Sequence, residues 1–162
     1  MKKIFYITML ILVVSNIAQA QAVRVELQAA GLTCSMCSRA TDKQLRTLDF
    51  IDSIGIDLSH TTFILYFKKD KTVDFNQIRK KVEDAGFSVA MLKVTYHFDN
   101  LKIENGTGFS YGNSKFSFMD ITPATLNGEV IFRILDQGFV GAKEYKKYAN
   151  RLTQGNFFHI TI

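Results

Sequence analysis

The chain has 162 residues, 47% of them hydrophobic and 22% charged, with a formal charge of +5. That apolar fraction excludes a disordered chain. Two cysteines are too few for a disulfide-built miniprotein or a four-cysteine zinc site. The basic residues are scattered apart from runs at 68–71 and 79–81, without the stacking aromatics of a nucleic-acid surface, so no nucleic-acid partner is expected.

Residues 1–20 read as a secretory signal peptide. Lys2 and Lys3 open it, an apolar run follows over residues 4–14, and Ala18-Gln19-Ala20 supplies a small-x-small cleavage pattern. The run is short of the roughly 20 residues a membrane span needs, so no stable span is expected after cleavage. Cleavage after Ala20 or Ala22 would leave a periplasmic or secreted protein. The two lysines supply two of the five net positive charges, so the mature chain is less basic than the whole.

From residue 23 the pattern is strand, helix, strand, strand, helix, strand. Val23, Val25 and Leu27 alternate with Arg24, Glu26 and Gln28, as in a half-buried strand. Gly31 breaks it, and the next loop holds both cysteines, Cys34 and Cys37. A helix is expected from Cys37 with Ala40, Leu45 and Leu48 as its apolar set. Residues 51–58 and 61–67 read as a hairpin turning at Ser59-His60. Asp74 caps a second helix whose apolar face is Phe75, Ile78, Val82 and Ala85, and Gly86 ends it. Residues 87–94 are the fourth strand. The fold class this implies is α+β, a ferredoxin-like βαββαβ sandwich over residues 21–94.

The remaining 95–162 read as a second, mostly-β domain. Residues 94–98, 115–121 and 129–135 have strand character, with Asn127-Gly128 as a turn signal. One short helix is expected over 142–150 and a last strand over 157–160. Such a set suggests a small barrel of OB type or a curled sheet. Asn105-Gly106-Thr107-Gly108 has no helix after it and reads as a β-turn, not a phosphate cradle.

Chemistry is concentrated in Cys34-Ser35-Met36-Cys37. A turn between a strand and a helix start can aim both sulfurs at one point, and the helix N-terminus favours thiolate over thiol. Thiolates are soft ligands that select Cu(I) and similar ions. The segment Gly31-Leu32-Thr33-Cys34-Ser35-Met36-Cys37 resembles the G-M-T-C-x-x-C loop of heavy-metal-associated domains, and Ala85-Gly86-Phe87 resembles their A-G-Y or A-G-F segment. The resemblance covers residues 23–94. It implies a non-enzymatic metal carrier with Cys34 and Cys37 as ligands and Phe87 shielding them. Leu32 stands where the family usually has Met, and should pack beneath the loop. Zinc-type members often carry an acid before the first Cys, and Thr33 stands there instead. The implied cargo is Cu(I), with Hg(II) or Zn(II) as alternatives. The implied partner is a metal donor or acceptor, such as a metal-transporting ATPase or a cuproenzyme, with the ion passed on by ligand exchange.

The rival reading is a thiol-disulfide oxidoreductase using the same pair, against which stand the lack of a Trp before Cys34 and of a Pro within the pair. Met36, His60, His97 and His159 are candidate donors, but none has a second ligand at metal-binding spacing.

Overall fold

The computed structural model describes residues 22–32, 34–57 and 59–162. The expected signal peptide, Thr33 and Leu58 lie outside the described residues. In chain order the elements are β1 (Ala22–Ala30), α1 (Ser35–Leu45), β2 (Ile51–Asp57), β3 (Thr62–Phe67), α2 (Phe75–Asp84), β4 (Ser88–Ile103), β5 (Gly108–Tyr111), β6 (Ser114–Phe118), β7 (Ala124–Ile134), α3 (Ala142–Tyr148) and β8 (Phe158–Thr161).

All eight strands join one sheet in the order β2-β3-β1-β4-β7-β8-β6-β5. Its first four strands form the expected ferredoxin-like half. β1 is central and antiparallel to both β3 and β4, and β2 pairs antiparallel with β3. Val25, Leu27, Phe63 and Leu65 are fully buried from the sheet side. Phe75, Ile78 and Val82 of α2 are buried against them, as their three- and four-residue spacing requires. On α1 the buried residues are Ser38, Thr41 and Leu45, and Leu48 is buried just beyond. Ala40, expected on this face, is exposed. Because the helix starts at Ser35 rather than Cys37, its inner stripe runs through Ser38 and Thr41, small polar residues that an apolar pattern overlooks.

The later strands continue the same sheet. β4 is 16 residues long and runs unbroken past residue 94, where the second domain was expected to begin. It pairs with β7 from Lys93↔Arg133 to Ile103↔Ala124. The closed small barrel is not formed: among the described residues the strand order is open, with β2 and β5 at its edges. The curled sheet is what forms. Phe109 of edge strand β5 reaches back to Tyr96 and Phe98 of β4, at ring separations of 5.2 and 5.1 Å. Phe132 of β7 sits between them. β8 inserts between β7 and β6, antiparallel to the first and parallel to the second. Phe75 of α2 meets Phe116 of β6 and Phe158 of β8 edge-on, so one apolar core spans both halves.

Two local expectations change in this region. Asn127-Gly128 is not a hairpin turn, because β7 passes through it. Register slips between Phe98 and Leu101, so Asp99 and Asn100 face Asn127 alone, and Gly128 takes a left-handed φ of 81° beside this bulge. β5 was not expected at all, since only Phe109 and Tyr111 of its four residues are apolar. The turn at residues 104–107 is confirmed, closed by Thr107 N–H to Glu104 C=O. No helix of the described residues is long and apolar enough to cross a membrane.

Candidate metal centre

β1 ends at Ala30, and Gly31 turns the chain with φ of +83°. That value is left-handed, which glycine adopts without strain. A Cβ on Gly31 would touch the Phe87 ring at an ordinary 3.7 Å, so Phe87 lies beside Gly31. Phe87 is placed by the end of α2. Gly86, φ +88°, donates to Glu83 C=O, and Phe87 N–H donates to Val82 C=O. These two bonds are a Schellman stop. Leu32 is buried.

Cys34 is the N-cap of α1, with extended backbone. Its carbonyl accepts from the N–H groups of Cys37 and Ser38, and its Sγ accepts from Cys37 N–H at 3.2 Å. A sulfur thus occupies the place a Ser or Asp oxygen usually takes at a helix start, where the N–H groups and the helix dipole favour negative charge. Cys37 lies one turn in, partly buried against the core. Its carbonyl accepts from Thr41 Oγ1 at 3.3 Å, and Thr41 is fully buried. The two cysteines are joined as a disulfide with a Cα separation of 5.3 Å. Met36, between them, is 69% exposed.

The donor set is two soft sulfurs. Among the described residues no group of three or more His, Cys, Asp or Glu could hold a metal ion. Two thiolates are a donor set that suits a soft ion.

The histidines have other roles. His60, at the β2–β3 turn, bonds Asp57 through Nδ1 at 2.8 Å. His97 is exposed opposite Glu129. His159 is buried, with Nδ1 2.9 Å from Asp136 Oδ1 and Nε2 accepting from Thr153 N–H. Both of its ring nitrogens are occupied, which makes it a tie between β8 and its neighbouring loops.

No family model matches the chain. Over 76 residues, 47% of the chain, it is 24% identical to a probable copper-exporting P-type ATPase of Archaeoglobus fulgidus. Over 71 residues it is 34% identical to a probable copper-transporting ATPase of Arabidopsis thaliana. These matches span only 9% and 7% of the two ATPases. Among solved structures, a yeast copper transporter domain studied in apo and Cu(I)-loaded states is 29% identical, with a TM-score of 0.37 over 42% of this chain and 92% of that one. The chain is thus similar, over a stretch of 71 to 76 residues, to a small part of two copper-transporting ATPases. The likeness covers less than half of the chain.

Proposed function

We propose that the protein is an exported carrier or scavenger of a soft metal ion, with Cu(I) as its cargo. The observation that carries this reading is the pairing of two sulfurs at one helix start, Cys34 on the cap and Cys37 one turn in. Similarity to copper ATPases supports copper over mercury, and the missing third and fourth ligands argue against zinc. The reduced pair binds one ion as a bis-thiolate. A partner thiolate then joins the ion to give a three-coordinate intermediate, one carrier sulfur leaves, and the ion moves without being released to water. The natural partner is a metal-transporting ATPase or a cuproenzyme. Residues 1–20 act as a cleaved signal, which places the mature protein in the periplasm or outside the cell.

Titration of the reduced mature protein with Cu(I) against a competing chelator tests the reading. One ion should bind to the wild type and none tightly to the Cys34→Ser/Cys37→Ser variant; equal affinity would refute it. Affinity should also fall with falling pH, because protons compete for both thiolates. The disulfide favours one second reading, a thiol-disulfide oxidoreductase. Turnover in an insulin-reduction assay that is lost in Cys34→Ser would put that reading first.

A further inference from the structure

Met36 stands between the two cysteines and takes no part in the core. At 69% it is the most exposed large apolar side chain among the described residues. The other methionines described, Met91 and Met119, are half-buried. A single exposed apolar residue needs no explanation in itself. The place of Met36 in the helix is what gives it meaning.

Cys34 is the N-cap of α1, so Met36 is the second residue of the first turn and Cys37 the third. Helical side chains lean towards the N-terminus of their own helix. That is the end at which Cys34 Sγ accepts from Cys37 N–H. The Met36 side chain is unbranched, with three rotatable bonds, and no core contact fixes it. By itself a lone thioether is no site; its companions are the cysteines on either side of it.

Other donors at this helix start are few. The first turn of α1 holds no acidic residue. The Ser35 hydroxyl is a hard, neutral oxygen, a poor match for a soft ion. His60 is engaged with Asp57 through Nδ1. The soft donors are therefore three sulfurs, two that become thiolates and one neutral thioether. Thioethers suit Cu(I). The usual zinc ligands are thiolate, imidazole and carboxylate, so a thioether adds little for Zn(II). A bis-thiolate ion has a third place open, the one a partner thiolate enters during handover. A thioether can fill that place while the ion is carried. Being neutral and weaker than a thiolate, it gives way when the partner arrives. We propose that Met36 is a third sulfur donor to Cu(I), through Sδ, and sets the preference of the site for Cu(I) over Zn(II).

The proposal rests on the carrier reading, and the test separates the two. Reduced mature protein is desalted anaerobically, so that no small thiol remains, and loaded with one equivalent of Cu(I). X-ray absorption at the copper edge then counts the sulfurs around the ion. Three are expected in the wild type and two in Met36→Leu. Leucine nearly keeps the volume and helix preference of methionine, so amide shifts in β1 and β4 should not change. Chelator competition should find Cu(I) affinity about tenfold lower in Met36→Leu, with Zn(II) affinity unchanged. The proposal is overturned by two sulfurs in the wild type, by three in both proteins, by equal Cu(I) affinity, or by a matching loss of Zn(II) affinity. Each of those results leaves the carrier reading standing. A wild type that binds Cu(I) no better than Cys34→Ser/Cys37→Ser overturns both.

Discussion

Cys34 does two jobs with one atom. Its Sγ caps α1 and is one half of the proposed site. Serine is among the best residues at an N-cap. Cys34→Ser should therefore leave thermal stability within about 1 kcal/mol of wild type while lowering Cu(I) affinity roughly a hundredfold or more. Paired thermal melts and chelator competition check this, and loss of both together would mean that the metal effect is only unfolding. Asp57 gives a pH prediction at the same scale. Hydrogen bonds from the Ser59 hydroxyl, then the His60 ring, lower its carboxyl to about 2 from 3.8. A depressed carboxylate pKa stabilises the fold above the unfolded value, so this contribution persists above pH 3.8 and fades as pH falls towards 2. NMR titration of the Asp57 carboxyl should find the low value in wild type and one nearer 3.8 in Ser59→Ala. The cysteine pair was legible from sequence because its geometry is local, set by a strand end and a helix start a few residues apart. The role of His159 was not, because it depends on Asp136 and Thr153, which the fold brings to it.

Element ends mattered more than element interiors. Gly86 closes α2 in the left-handed region and sets Phe87 against the metal loop. Space is open around Gly86, so Gly86→Ala meets only the backbone penalty. It should destabilise the protein by about 1–2 kcal/mol, read as a lowered urea midpoint with an unchanged slope. No change would mean that the αL stop contributes nothing. The second helix was readable throughout, from the Asp74 cap through Phe75, Ile78 and Val82 to Gly86, because every signal lies within one thirteen-residue stretch. Asn127-Gly128 misled for the same local reason. A glycine with positive φ serves a hairpin turn and a β-bulge equally, and only the pairing of Gly128 with Phe98, at the register slip before Leu101 on β4, decides which forms.

The whole molecule is organised by β4, which belongs to both halves. Its pairings with β1 and β7 tie the metal-loop half to the aromatic half. Phe132 lies near the centre of the latter, against Tyr96, Phe98, Phe109 and Phe116, and is buried. Phe132→Ala should cost about 3–5 kcal/mol. Unfolding should remain a single transition, so that the native NMR amide signals of β1 and of β7 are lost together. Two separate transitions would show that the halves unfold independently. Burial also raises the Tyr96 hydroxyl to about 12 from 10.0, with the Tyr111 hydroxyl adding to the shift. The unfolded chain therefore releases this proton first, and stability should decline as pH rises from about 10 towards 12. Tyr96→Phe should flatten that decline in urea midpoints taken below and within the window.

Sequence by itself determined the βαββαβ half, its two helix caps and the cysteine pair, because each rests on contacts between near neighbours: alternation along a strand, a cap beside its helix, two sulfurs three residues apart. Only the tertiary structure decided that residues 95–162 extend the same sheet, that β8 slots between β7 and β6, and that His159 is a tie. Those features depend on pairings between segments far apart in the chain. The alternation that marks a strand says which face is buried, but carries no information on which strand lies beside it.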